Sequence, residues 1–350
     1  MQYTIYSHAD TDGGISAGIL SRFLKQRYGS KLKISIEPVQ HGGANGEWFH
    51  NKISAPCAIL DFSLHPSLLN DRFFLNIPEN APPCYWLDHH PTGATYPFLT
   101  PENASEVIPN ATVVWDTNAI STPGLMRTHR EKIDFPEDLL EEYANFIDMA
   151  DIVDGALFAT PEAAHDYSSV PIKLQTLFCS NHKVIDHKSL YVQLSRQVAR
   201  SANVYDLLEA DPVYEAIIQS HKLQHMELKR SYEKIICLDR RTSIADFSTD
   251  TSLYKGLGRF LPYYLYPESH YGLHIFPHNK RNDRFLITCG INPWNKPPEG
   301  ELHLGDYFTK HFDGGGHSFV AGGRCPKSEL KGKIATLLEL LNEQPQTVAS

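Results

Sequence analysis

Three short apolar runs in this chain each end in carboxylates and imidazoles. Tyr3-Thr4-Ile5-Tyr6 leads into Ser7-His8-Ala9-Asp10-Thr11-Asp12-Gly13, Ala58-Ile59-Leu60 into Asp61-Phe62, and Cys84-Tyr85-Trp86-Leu87 into Asp88-His89-His90. Carboxylates drawn together repel one another, and a divalent cation is what makes such a gathering favourable. His8, Asp10 and Asp12 stand at i, i+2 and i+4 of an extended loop, so their side chains converge on one side. Asp61 and His89 would reach the same crevice from neighbouring strand ends. The stretch Asp148-Met149-Ala150-Asp151-Ile152-Val153-Asp154 would add a carboxylate from the end of a helix. His8, Asp10 and Asp61 would serve one ion, and Asp12, Asp61, His89 and Asp151 a second, with Asp61 bridging. Mixed oxygen and nitrogen ligands suit Mn²⁺, with Mg²⁺, Zn²⁺ or Co²⁺ as alternatives. Two such ions, roughly 3.5–4 Å apart, acidify a shared water and stabilise charge on a phosphoryl oxygen. Hydrolysis of a phosphate ester or anhydride is the expected chemistry. With no thiolate ligand and no G-x-G-x-x-G, redox chemistry is not.

A second constellation follows near the end: Phe312-Asp313-Gly314-Gly315-Gly316-His317, then Ala321-Gly322-Gly323-Arg324. Glycines expose backbone N–H groups and let an anion approach. His317 and Arg324 would add donors for a phosphate or a nucleobase. A cleft with metals on one wall and anion donors on the other would take a short phosphodiester. The plainer alternatives are that Asp12 merely caps a helix and that the glycine run is only a turn.

These residues need elements to hold them. Tyr3 to Tyr6 reads as a strand, Gly13-Gly14 as a turn, and Ile15 to Leu24 as a helix. Lys33 to Val39, Ala58 to Phe62 and Tyr85 to Leu87 read as strands. Pro136 to Ala150 reads as one helix, with Leu139, Leu140, Tyr143, Phe146 and Ile147 on its apolar face. Strands alternating with helices indicate an α/β fold, a doubly wound, mostly parallel sheet whose ligands sit beyond the carboxyl ends of its strands. Residues 1–183 form this catalytic domain. Residues 184–234 are charged and helical, a connector. Residues 235–350 are a smaller α/β domain with strands at Ile235–Leu238, Ser243–Phe247, Tyr271–Phe276 and Phe285–Ile291, and a final helix over Lys327–Asn342.

The 350 residues are 41% hydrophobic and 21% charged, as in ordinary globular proteins. No apolar run nears the roughly 18 residues of a membrane span, and the start lacks a basic, apolar leader. Six scattered cysteines without a C-x-x-C pair read as free thiols of a cytoplasmic enzyme. A net charge of -9 argues against tight binding of long nucleic acid, and leaves short anionic substrates open.

Taken together, His8-x-Asp10-x-Asp12-Gly13, Asp61, Asp88-His89-His90, Ala150-Asp151-Ile152-Val153 and Gly314-Gly315-Gly316-His317 resemble the DHH phosphoesterase family with a DHHA1 C-terminal domain. That family includes RecJ-like exonucleases, nanoRNases and cyclic-dinucleotide phosphodiesterases. The resemblance covers most of the chain. It implies a two-Mn²⁺ site, phosphodiesterase action on short oligonucleotides or dinucleotides giving 5′-nucleotides, and a homodimer. His90 would contact the scissile phosphate with Asp88 supporting the site behind it, and Gly314, Gly315, Gly316 and His317 would hold the substrate's far end. Within 148–154 it selects Asp151, leaving Asp148 and Asp154 as surface or hydrogen-bonding residues. The chain departs from the family at Gly290-Ile291-Asn292-Pro293-Trp294-Asn295, where an arginine is expected. Asn292, Arg281 or Arg324 would substitute, and Trp294 is read as structural. Cyclic dinucleotides, polyphosphate and pyrophosphate are the alternative substrates.

Overall fold

The computed structural model describes residues 2–39, 56–62, 81–90, 100, 103, 111–179, 185–249, 258–278, 283–298 and 302–343. Arg281, and His65, which follows Asp61 closely in sequence, lie outside them. The chain divides into two units, residues 1–157 with 167–219, and residues 158–166 with 220–350.

At the centre of the first unit is an all-parallel sheet. Its strands are β1 (Gln2–His8), β2 (Lys33–Val39), β3 (Cys57–Leu60), β4 (Cys84–Asp88) and β5 (Ala111–Trp115), in the order β2-β1-β3-β4-β5. Strands β3 and β4 are buried along their whole length. This is why they read as unbroken apolar runs and not as alternating ones. Helix α1 (Thr11–Tyr28) follows β1 at once, capped by the Asp10 carboxylate, which accepts from Gly13 N at 3.0 Å. A Cβ on Gly13 would lie 2.2 Å from the His8 carbonyl oxygen, so only glycine allows so tight a passage from strand to helix.

Helices α2 (Thr122–Thr128), α3 (Arg130–Ile133), α4 (Glu137–Glu142), α5 (Ala144–Asp154), α6 (Val170–Cys179), α7 (His187–Arg200) and α8 (Val204–Glu209) follow. Helix α1 packs against α7 and α5. Ile5, Leu20, Leu60, Leu87, Phe146, Phe178 and Leu194 share one buried core. The helix expected over Pro136–Ala150 is two helices that meet at Tyr143, whose hydroxyl donates to the Val198 carbonyl at 2.6 Å. All five residues of the expected apolar face are buried. The expected connector, 184–234, is not a separate piece. Leu190, Tyr191, Leu194 and Val198 of α7 belong to the first unit's core, and the boundary falls inside the long helix α9 (Pro212–Ile235), after Gln219.

The second unit carries a mixed sheet of β6 (Cys237–Asp239), β7 (Thr242–Asp246), β8 (Tyr271–Pro277), β9 (Arg284–Ile291), β10 (Gly315–Gly316) and β11 (Val320–Pro326). The order is β10-β11-β9-β8-β7-β6, with only β7 and β8 parallel. Burial alternates along β9, with Phe285, Ile287 and Cys289 on its buried face, while β8 is buried on both sides from Tyr271 to Phe276. That face packs with Leu304 and Phe308 of α11 (Leu304–His311) and Leu337 and Leu341 of α12 (Leu330–Asn342). The short helix α10 (Leu261–Leu265) precedes β8. The excursion 158–166 joins this unit through Phe158, whose carbonyl accepts from Trp294 Nε1 at 2.7 Å. Among the described residues no helix is long and apolar enough to cross a membrane.

Candidate metal centre

In the order β2-β1-β3-β4-β5 the chain reverses direction across the sheet between β1 and β3. Ligands of such sheets bind at that switch point, beyond the carboxyl ends of the strands. β1 ends at His8, β3 one residue before Asp61, and β4 at Asp88. The sheet therefore delivers all three acidic strand ends to one place. The β1–α1 turn is also held from α7, where the Tyr191 hydroxyl donates to the His8 carbonyl at 2.7 Å and lies 2.8 Å from Ser7 Oγ.

His8 Nδ1 lies 2.7 Å from Asp10 Oδ2 and 3.6 Å from Asp61 Oδ2. His89 Nε2 lies 3.2 Å from Asp61 Oδ1, 3.3 Å from Asp12 Oδ2 and 3.7 Å from Asp154 Oδ2. Two groups of three, His8–Asp10–Asp61 and Asp12–His89–Asp154, each bring their donor atoms close enough for one ion to share, and a third set, Asp61–His89–His90, overlaps both. Asp61 turns one oxygen towards each group. Asp10 divides its carboxylate in the same way, Oδ1 capping α1 and Oδ2 facing His8.

Asp61 takes this place at a cost. Its φ of 56° is left-handed, which a side chain disfavours by about 1–2 kcal/mol. Its amide is fixed by a 2.9 Å bond to the Leu87 carbonyl. The Oδ2 atoms of Asp61 and Asp88 are buried without a hydrogen bond, a loss of about 1–3 kcal/mol each. Burial and the Asp61 charge push the Asp12 carboxyl up to about 7. Burial opposes charge on His8 and His89, yet the facing carboxylates raise both to about 12. Oxygen-rich donors, orphaned carboxylate oxygens and like-charge crowding fit divalent cations, whose uptake would release the histidine protons.

Asp88 is fully buried behind His90. Its Oδ1 accepts from the His90 amide at 3.2 Å and lies 2.8 Å from the His90 ring Nδ1. Burial disfavours the imidazolium, but Asp88 raises His90 to about 9.

Asp151, expected on the second ion, lies in neither group. Its Oδ1 accepts from Ser121 Oγ at 2.5 Å and its Oδ2 from Arg127 Nη2 at 3.1 Å. Asp154 holds the place beside His89, and Asp148 pairs with Arg127 at 2.8 Å. Positions three apart share a helix face, so periodicity alone does not separate Asp151 from Asp154.

The second unit holds the remaining expected residues. Asn292 is fully buried, donates to the carbonyls of Ser269 (2.7 Å) and Pro267 (3.3 Å), and accepts from Trp294 N at 3.0 Å. It holds a turn. The glycines have a structural reason of their own. A Cβ on Gly314 would lie 2.1 Å from the Gly322 carbonyl oxygen, and Gly316, at φ 145°, would meet the Val320 carbonyl oxygen at 2.4 Å. Gly315 and Gly316 form β10, paired with Gly322 and Ala321 of β11. Beyond it the His317 ring stacks on Phe319 at 5.2 Å and 20°. Phe319 is 50% exposed, unusual for so large an apolar ring, and is a residue that motif reading passes over. Arg324 lies on β11, half-buried, its amide donating to the Asp313 carbonyl at 3.3 Å.

No protein-family model matches the sequence, and no curated protein matches it. Solved structures do. A pGpG-specific phosphodiesterase, PggH from Vibrio cholerae, aligns with a TM-score of 0.64 at 17% identity, over 98% of this chain and 100% of that one. A manganese-bound exonuclease RecJ aligns at 0.54 and 13% identity, over 99% and 92%. RecJ from Thermus thermophilus in complex with Mn²⁺ aligns at 0.57 and 12% identity, over 98% of this chain and 52% of that one. Sheet order, strand-end acids and these likenesses agree: the chain has the DHH phosphoesterase fold.

Proposed function

We propose that this protein is a metal-dependent phosphodiesterase, with Mn²⁺ as its ion, that hydrolyses short oligonucleotides or dinucleotides to 5′-nucleotides. The observation that carries this reading is the pair of ligand groups joined through Asp61. The likeness to PggH and to manganese-bound RecJ supports it. When bound, two ions would supply an acidified water and positive charge for the phosphoryl oxygens. His8, Asp10 and Asp61 would hold one, and Asp12, Asp61, His89 and Asp154 the other. His90, kept as an imidazolium by Asp88, would donate to a phosphoryl oxygen and stabilise charge developing there. Asp88 would fix that ring, leaving Nε2 as the outward donor. Gly314, Gly315, Gly316, His317 and Arg324 would hold the substrate away from the reacting phosphate. The exposed Phe319 beside His317 favours a nucleotide over polyphosphate, because a base has an apolar face to stack and a phosphate chain has none. A homodimer in the cytoplasm completes the reading.

The test is product analysis with the Mn²⁺-loaded protein on pApA, pGpG, cyclic dinucleotides, 3′-phosphoadenosine-5′-phosphate and polyphosphate. Mononucleotides should appear from the linear dinucleotides first. Rapid polyphosphate cleavage with every nucleotide untouched would overturn the assignment.

A further inference from the structure

Two large aliphatic side chains stand in water beside the metal centre. Ile120 is 41% exposed and Leu157 is 53% exposed. Ile120 immediately precedes Ser121, the buried hydroxyl that bonds Asp151, and Leu157 follows Asp154 by way of Gly155 and Ala156. The two meet over Gly155, where a Cβ would lie 2.5 Å from Ile120 Cγ2 and 3.2 Å from Leu157 Cγ. The chain leaves α5 here through Ala156, whose φ of 54° is left-handed and disfavoured for a residue with a side chain. The Leu157 amide is then fixed to the Ile152 carbonyl at 2.9 Å. At this corner the second ligand group also opens to solvent. The side chains of Asp12 and His89 are 2% and 3% exposed, that of Asp154 34%. A molecule that reaches the group past Asp154 therefore arrives at the corner held by Ile120 and Leu157.

Resting on the function set out above, we propose that Ile120 and Leu157 form an apolar shelf for the face of a nucleobase next to the scissile phosphate. Folding alone gives no return for this corner, because two large apolar side chains stay against water and Ala156 is strained. Covering both with a flat apolar surface takes them out of water. A nucleobase has such a surface, and its ribose carries the phosphate from there to the ions. Polyphosphate and pyrophosphate have none. Unstacked bases are held in this way between aromatic or apolar side chains. Neither Ile120 nor Leu157 has a side-chain donor or acceptor. The shelf therefore reads the presence and size of a base and not its hydrogen-bonding edge.

Steady-state kinetics of the Mn²⁺-loaded full chain on pApA, and on two abasic analogues that each lack one base, supply the test. Leu157→Ala and Ile120→Ala should each raise KM for pApA roughly three- to tenfold, in keeping with the apolar area lost, and leave kcat nearly unchanged. Leu157→Met, which keeps that area, should stay at the wild-type KM. On the analogue that lacks the shelf's base, the wild type and both alanine variants should share one KM. Wild-type KM for pApA in both alanine variants overturns the proposal, as does a raised KM that persists on both analogues. Light scattering reads the competing occupant: self-association lost in Leu157→Ala, with KM for pApA unchanged, assigns the patch to a second copy of the chain and overturns the shelf. Should one alanine variant fail to fold, the other decides alone. A wild type that cleaves polyphosphate and no dinucleotide overturns the proposed function, and the shelf with it. A wild type that cleaves dinucleotides, matched by both alanine variants, overturns the shelf alone.

Discussion

Asp12, Asp61, Asp88 and His89 lie buried at the end of a parallel sheet, while Phe319 stands half in solvent on a hairpin made of glycines. The first region is dense in charge, strained at Asp61 and short of hydrogen bonds at two carboxylates. The second carries its shape in the main chain and presents an aromatic face. A site of the first kind gives up stability for reactivity. One of the second kind gives up little and offers surface. Under the proposed function, the first region would set the rate and the second the affinity.

The largest effect should come from Asp61→Asn. Turnover should fall by about 10³-fold or more, because both ion sites lose a ligand. In metal-free protein the same change should raise the melting temperature, since it removes a buried charge from a crowd of carboxylates. Thermal melts with and without EDTA check both halves, and a lower melting temperature would break the contrast. His90→Ala should lower kcat about a hundredfold and leave KM nearly unchanged, as steady-state kinetics on a dinucleotide will show. Phe319→Ala should do the reverse: KM for a dinucleotide up about tenfold, matching the ~1–3 kcal/mol of one stacked base, with kcat preserved. Bis(p-nitrophenyl) phosphate, which has no base, should not distinguish it from the wild type.

A separate effect, independent of turnover, concerns stability in the second unit. Burial holds His274 down to about 4, and burial followed by the charge of His225 does the same for His165. The unfolded chain takes up those protons near 6.5, the folded one only near 4. Their contribution to stability is therefore complete above about pH 6.5 and declines as pH falls towards 4, by up to about 1.4 kcal/mol per pH unit for each histidine. Denaturant midpoints between pH 7 and 4.5 should fall more steeply for the wild type than for His274→Phe.

What the residue pattern made legible follows the same division. Strand ends, the capped helix after β1 and the grouping of His8, Asp10, Asp61 and His89 could be read directly, because parallel strands are continuous apolar runs and their carboxyl ends converge. Asp151 and Asp154 could not be told apart, since they share a helix face and only their tertiary neighbours, Ser121 and Arg127 for one and His89 for the other, distinguish them. Asn292 looks the same in the sequence whether it faces solvent or closes a buried turn. The glycines were legible as glycines, but their reason, main-chain approach within a hairpin, depends on a pairing with β11 that no local pattern announces.

The hydroxyl of Tyr191 that holds the His8 carbonyl lies 183 residues further along the chain. During synthesis at roughly 5–20 residues per second, the turn bearing His8, Asp10 and Asp12 leaves the ribosome roughly ten to forty seconds before its clamp exists. Until then the acidic, imidazole-bearing turn lacks the contacts that Tyr191 makes with His8 and Ser7. The turn is made early, and this hydrogen bond to it can form only after α7 has been translated.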